Sequence, residues 1–302
     1  MPRRACTLPP RLYNAAFFQN GTPAMKQVFV IQHPNLAALP LVQTARHFRL
    51  PERIAGSSLR LAVAADAAIP TEVTAELDAA GAEYALLADT AFADLGLIVS
   101  DMDSTLITIE CIDEIAAAAG LKERVAAVTE RAMRGEMDFE DSLRERVALL
   151  AGLPESVLDD VYEHALRLSP GAEYLLAECK KHQVKFLLVS GGFTFFTERL
   201  KERLGLDWAY ANTLETAGGK LTGRLAGPII DAAAKARLLE EYRRRLGLAR
   251  HQVAAVGDGA NDILMLQAAG FGIAYHAKPK TRAQAALNIR HMGLEALRGW
   301  FA

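Results

Sequence analysis

Three apolar runs, each ending in small and polar residues and each leading into a helical pattern, organise the C-terminal two thirds of the chain. Leu95-Gly96-Leu97-Ile98-Val99-Ser100 runs into Asp101-Met102-Asp103-Ser104-Thr105; residues 184–189 run into Ser190-Gly191-Gly192; residues 253–256 run into Gly257-Asp258-Gly259-Ala260-Asn261-Asp262. Continuous apolar runs are the signature of strands buried on both faces. Their alternation with helices predicts an α/β fold with a doubly wound parallel sheet, whose ligands gather outside the carboxyl ends of the strands. Phe271–Tyr275 reads as the last core strand, and 210–216 with 220–225 as a hairpin around Gly218-Gly219. Residues 231–246 read as a helix carrying Lys235.

Ahead of this core, residues 25–90 read β-α-β-α-β, with strands at 28–31, 59–64 and 84–87 and helices near 37–47 and 71–80. That is a small α+β unit of ferredoxin-like or amino-acid-sensing kind, lacking one strand of such a fold and with few convergent polar groups. Every candidate catalytic group lies after Leu95, so the 91–302 core is expected to stand without residues 1–89. A long helical insertion spans about 107–168. Gly120, Gly135 and Gly152 punctuate its helices, Asp138 with Asp141 resembles a capping pair, and Pro154 suits a first helical turn. Hung over the strand ends, it is expected to act as a lid. Residues 1–24 contain Arg3, Arg4 and Arg11 and no acid, and read as a disordered extension or a misassigned start before Met25.

Composition narrows the picture. A hydrophobic share of 51% and a mean hydropathy of +0.10 over 302 residues fit a large packed core. The net charge of −2 offers no bulk attraction for nucleic acid or an anionic membrane. The run Arg243-Arg244-Arg245 reads as a solvated helix C-terminus. Cys6, Cys111 and Cys179 are too few and too scattered for a disulfide framework or a zinc cluster, and no apolar run approaches the roughly 20 residues of a membrane span. A cytoplasmic protein is expected.

The chemistry is carried by the strand-end loops. Asp101 and Asp103 project like charges into one crevice, which calls for a cation, a shared proton or a division of labour. Phosphoryl transfer uses all three. Asp101 would attack phosphorus, needing no deprotonation, and Asp103 would serve as general acid and base. Mg²⁺ takes oxygen ligands, which Asp101, the main-chain carbonyl of Asp103 and Asp258 can supply, with Asp262 reaching it through water. Ser190 offers a hydroxyl and Gly191 an unobstructed N–H to a phosphate. Lys235 would neutralise charge, although spacing alone does not choose it over Lys180, Lys185 or Lys220. Two other classes fit less well. The 257–262 loop begins like a dinucleotide-binding GxGxxG, but its last position is Asp262, which would repel a pyrophosphate. A non-catalytic small-molecule sensor working through the N-terminal unit would have no use for both Asp101 and Asp103.

Asp101-Met102-Asp103-Ser104-Thr105, Ser190-Gly191-Gly192, Lys235 and Gly257-Asp258-Gly259-Ala260-Asn261-Asp262 resemble, in order, the four motifs of the haloacid dehalogenase superfamily of phosphatases. Glu110-Cys111-Ile112-Asp113-Glu114-Ile115-Ala116, the Met133, Phe139 and Arg146 spacing, and Phe193 after Ser190-Gly191-Gly192 further resemble bacterial and archaeal phosphoserine phosphatases. The resemblance covers about residues 95–290. It implies a Rossmannoid core with a helical cap and Mg²⁺-dependent hydrolysis of O-phospho-L-serine through an aspartyl-phosphate, the last step of serine biosynthesis. It makes Asp101 the nucleophile, Asp103 the proton donor and Asp101, Asp103 and Asp258 the metal ligands. Ser190, Gly191, Lys235 and Asn261 would bind phosphate. Glu110 would bind the substrate ammonium and Arg146 its carboxylate, with Met133 and Phe139 closing the pocket; from the residues alone Arg144 is an equal choice. A phosphatase or phosphotransferase for another small phosphorylated amino acid or alcohol is the alternative. The implied partner is a small molecule, not nucleic acid or a membrane, and a homodimer is left open.

Overall fold

The computed structural model describes residues 26–302; the expectations for residues 1–24 lie outside the described residues. Strands β1 (Gln27–Gln32), β2 (Ser58–Val63) and β3 (Glu83–Ala88) form an antiparallel sheet in the order β2-β1-β3. Among the described residues this sheet has no fourth strand. The helix expected over 37–47 is divided. A 3₁₀ turn, Leu36–Ala38, precedes Leu39-Pro40, and helix α1 begins only at Val42 and ends at His47, because the residue before a proline disfavours helical ψ.

Strand β1 is buried on both sides. Phe29 and Ile31 pack with Val73 and Leu77 of α2 (Thr71–Ala79). Val28 and Val30, on the opposite face, share an apolar cluster with Phe92, Trp300 and Phe301. Polar contacts reinforce that junction. Glu83, with no exposed surface, accepts hydrogen bonds from the backbone N–H groups of Arg290 and His291, both at 2.6 Å. Arg60 Nη1 donates to the Trp300 carbonyl at 2.9 Å, and Gln32 Nε2 to that of Ala296 at 3.0 Å.

The main sheet has seven strands: β4 (Leu97–Ser100), β5 (Lys185–Phe193), β6 (Trp208–Ala217), β7 (Lys220–Ala226), β8 (Val253–Gly257), β9 (Phe271–Tyr275) and β10 (Leu287–Ile289), in the order β10-β9-β8-β4-β5-β6-β7. All pairs are parallel except β6 with β7. The sequence ends the sheet at β9; β10 adds an edge strand of only three residues, too short to show a period. From central β4 the chain proceeds to β5 and β6 on one side, then returns to β8 on the other. The carboxyl end of β4 is therefore a topological switch point, where α/β sheets open a binding crevice.

The insertion leaves the sheet just there. Its helices are α3 (Cys111–Ala118), α4 (Lys122–Met133), α5 (Phe139–Ala148) and α6 (Ser156–Asp160). An antiparallel bridge between Ile107 and Leu168 closes its neck. Gly120, Gly135 and Gly152 all have positive φ, the left-handed turn that ends a helix, and the Asp138 carboxylate accepts from Asp141 N at 2.8 Å as a cap. The far side is stitched to the β6–β7 hairpin. Gly152 N donates to Leu221 O at 2.8 Å, Leu221 N to Leu153 O at 2.8 Å, and Glu155 N to Gly219 O at 3.0 Å.

Helices α7 (Ala172–Lys181) and α8 (Thr194–Leu204) cover one face of the sheet, against Ile98, Phe186 and Leu188. On the other, α9 (Ala232–Arg245) and α10 (Ile263–Ala268) pack on Leu97, Val99 and Leu187. Two short C-terminal helices, α11 (Pro279–Arg282) and α12 (Glu295–Gly299), complete the chain. No helix of the described residues is long and apolar enough to cross a membrane.

Candidate active site

The loops after β4, β5 and β8 meet beneath the insertion around a cavity of about 100 Å³. Asp101, Asp103, Glu110, Phe139, Arg146, Gly191, Asp258 and Asn261, all expected from the sequence, line it. Ser190, Lys235 and Asp262 lie buried in its floor. Met133 does not reach the cavity. It ends α4 with 69% of its surface exposed, off the face that Val125 and Val128 bury.

Asp101 follows the last residue of β4, held by its N–H donating to Val256 O at 3.0 Å across the ladder. Lys235 Nζ lies 2.7 Å from Asp101 Oδ2 and 2.7 Å from Asp262 Oδ1. The second Asp262 oxygen accepts from Gly259 N at 3.0 Å. Both oxygens of Asp262 are thus engaged, which suits it to hold Lys235 and its own loop. Lys235 sits at the i position of an i, i+4, i+7 stripe with Leu239 and Tyr242, all buried. Lys180, Lys185 and Lys220, which spacing left equal to it, are exposed at the surface. Burial opposes the charge on Lys235, but Asp101 and Asp262 outweigh it and raise its pKa.

Asp101, Asp258 and Asp262 each turn an oxygen to within 4.8 Å of the others. Three carboxylates face one ammonium there, leaving two negative charges that a divalent cation would neutralise. Burial, then the Asp262 carboxylate, pushes the Asp101 carboxyl up against the pull of Lys235. The same two causes push Asp258 up to about 6, with Thr105 Oγ1 donating to it at 3.2 Å. Hard oxygen donors in a site short of positive charge match the preference of Mg²⁺.

Asp103 is oriented from three sides. Cys111 N, in the first turn of α3, donates to Oδ1 at 2.9 Å, and Ser190 Oγ donates to Oδ2 at 3.4 Å. Gly192 supplies the third. A Cβ there would stand 2.6 Å from Asp103 Oδ2, so only glycine leaves the carboxylate its place. Burial raises the Asp103 pKa despite these donors, which favours a carboxyl that carries a proton.

Above the floor, Glu110 and Arg146 face the same cavity from the insertion. Glu110 accepts from Ser104 Oγ at 2.6 Å, and desolvation followed by repulsion from Asp103 pushes it up to about 7. Arg146 Nε donates to Ser142 O at 3.3 Å. Desolvation lowers its pKa, opposed by the attraction of Asp113, Glu110 and Asp103. Arg144, the alternative, points outward and pairs with Glu140 at 2.6 Å.

The sequence reading named Gly192, Phe193, Ile112 and Thr105 only within motifs and assigned them no contact, and it gave no role to Leu143. The structure puts Ile112, Leu143, Gly192 and Phe193 in the cavity lining and Thr105 against Asp258. It also missed Asn212, inside β6, which bonds the loop after β5.

A parallel sheet with acidic groups at its switch point, a buried lysine and a helical lid defines a class. The chain belongs to the haloacid dehalogenase-like hydrolases, whose family model matches residues 98–267. Within that class it is 52% identical over 214 residues to the phosphoserine phosphatase of Polaromonas sp., covering 69% of this chain and 91% of that protein. The crystal structure of a HAD family hydrolase from Salmonella enterica serovar Typhi superposes with a TM-score of 0.81 at 33% identity, covering 92% of this chain and 98% of the other. A structure of a phospho-aspartyl intermediate analogue of phosphoserine phosphatase is similar with a TM-score of 0.65 at 40% identity, covering 69% of this chain and 99% of the other.

Proposed function

We propose that the protein hydrolyses O-phospho-L-serine to L-serine and phosphate through an acyl phosphate on Asp101 (an aspartyl-phosphate), with Mg²⁺ bound. The observation that carries the substrate is the pair Glu110 and Arg146 on one cavity. A zwitterionic amino-acid head group under a lid needs an anion for its ammonium and a cation for its carboxylate. The identity to phosphoserine phosphatases supports the same reading.

In the first half-reaction an Asp101 carboxylate oxygen attacks phosphorus and the bond to the serine oxygen breaks, while the protonated Asp103 delivers its proton to the leaving alkoxide. In the second, Asp103, now a carboxylate, takes a proton from water, whose oxygen attacks phosphorus and releases Asp101. Ser190, Gly191 and Asn261 would hold the phosphoryl oxygens, and Lys235 would neutralise them and keep Asp101 aimed. Asp101, the Asp103 carbonyl and Asp258 would hold Mg²⁺, with Asp262 acting through water; when bound, the ion withdraws charge from the phosphoryl oxygens. Phe139 would shut the pocket over the substrate.

Phosphate release from a panel of phosphomonoesters, with Mg²⁺ and after chelation, tests the reading. O-phosphoserine is expected to be the preferred substrate and chelation to abolish turnover, with Mg²⁺ restoring it. Preference for a phosphomonoester without an amino-acid head group would overturn the substrate assignment.

A further inference from the structure

We propose that Asn212 is a positioning residue that fixes the loop after β5 and the helix of Lys235 relative to each other. Asn212 lies inside β6, 1% exposed, opposite Phe193, where the β5–β6 register shifts between Val189 and Phe193. The shift takes Ser190-Gly191-Gly192 out of the regular ladder. The Asn212 side chain supplies what the ladder no longer does: its Nδ2 donates to Gly191 O at 2.8 Å. The nitrogen of that same peptide unit, Gly192 N, donates to Ser190 Oγ at 2.8 Å. The peptide plane is therefore held at both ends, and Ser190 keeps its own proton to donate to Asp103.

The other half of the amide turns to α9. Asn212 Oδ1 accepts from Ile230 N at 2.8 Å. Ile230 precedes Asp231, whose carboxylate caps α9 by accepting from Ala234 N at 2.7 Å, and the next residue is Lys235. One side chain thus ties the group that orients Asp103 to the helix that aims Asp101. An amide is required because one bond needs a donor and the other an acceptor; aspartate keeps only the acceptor and leucine has neither. A buried carbonyl or N–H left without its partner would draw its peptide out of place.

The inference rests on the phosphoryl-transfer reading. Its test is steady-state kinetics of Asn212→Asp and Asn212→Leu on O-phosphoserine and p-nitrophenyl phosphate, expressed per folded molecule from circular dichroism well below the melting temperature. For both variants kcat is expected to fall on the order of tenfold to a hundredfold. The factor should be the same on both substrates, because the phosphoryl group is what they share, and KM should move less than kcat. Wild-type kcat in the folded variants overturns the inference, as does a loss no larger than the loss of folded protein or one confined to O-phosphoserine. Should Asn212→Leu fail to fold, Asn212→Asp, which keeps the bond to Ile230, still decides. A wild-type enzyme that turns over p-nitrophenyl phosphate but not O-phosphoserine overturns the substrate assignment and leaves the Asn212 comparison intact.

Discussion

Lys235 and Asp101 form a buried ion pair, 2.7 Å from Nζ to Oδ2, at the carboxyl end of β4, where the order of strands reverses. The pair carries a structural cost, since two groups lose water for a single contact, and Asp262 completes it.

Replacing either partner is expected to act differently. Lys235→Met strands Asp101 and Asp262 as unpaired carboxylates and should cost about 3–5 kcal/mol of stability, seen as a lower melting temperature, together with all turnover. Asp101→Asn relieves repulsion, so it should melt no lower than wild type yet release no phosphate. Activity above roughly one-tenth of wild type in Asp101→Asn would remove the covalent role, which an amide cannot fill.

Specificity is expected to divide between two neighbouring arginines. Truncating one partner of a desolvated charge pair costs roughly 2–5 kcal/mol, so Arg146→Ala should lose on the order of 30-fold to several thousandfold in kcat/KM on O-phosphoserine. It should lose little on p-nitrophenyl phosphate, which has no carboxylate. Arg144→Ala, removing an exposed pair with Glu140, should be nearly silent on both. Equal losses on the two substrates at Arg146 would mean that it serves the fold.

The Glu110 carboxyl, pushed up to about 7, is expected to make capture of the proposed substrate pH-dependent. Its ionised form is the one that would attract an ammonium, so kcat/KM on O-phosphoserine should fall as pH drops through about 7. Glu110→Gln should lose that limb, and Ser104→Ala, which deletes a donor to the carboxylate, should move it to higher pH. Stability runs the other way. A folded pKa above the unfolded one gives stability that is present at low pH and lost as pH rises through the folded value, so Glu110→Gln should raise the melting temperature more at pH above 7 than below 5. A limb unchanged in Glu110→Gln would assign it to another group.

The N-terminal sheet is expected to matter to stability, contrary to the sequence reading that sets residues 1–89 aside. Deleting them would bare Phe92, Trp300 and Phe301, which pack with Val28 and Val30. The deletion should therefore melt lower than the full chain and aggregate. Glu83→Ala probes the junction more gently, at roughly 1–3 kcal/mol for each backbone N–H left unpaired, with wild-type kcat on the remaining folded protein. A deletion as stable as the full chain would sink this prediction.

The parts legible in the sequence are those where one local rule suffices. A buried strand followed by polar residues locates Asp101, Asp103, Ser190 and Asp258, because strand ends in such sheets point to one edge. Lys235 was not separable by spacing from its three rivals, yet its i, i+4, i+7 relation to Leu239 and Tyr242 marks a lysine on a buried helix face. Asn212 carried no such mark. It is one polar residue in a strand, and the role proposed for it arises only where a register shift against β5 leaves Gly191 O on one side and Ile230 N on the other for a side chain to satisfy. Met133 shows the converse: a motif spacing says nothing about which way the last turn of a helix faces.

The bridge between Ile107 and Leu168 means that the insertion departs and returns at a single rung. Its length and sequence are therefore free to vary without stretching the sheet, so selectivity can be rewritten while the phosphoryl machinery beneath is inherited unchanged. The hairpin imposes one condition on such grafts. A replacement lid must still present backbone where Gly152, Leu153 and Glu155 meet Gly219 and Leu221, or it loses its second foothold.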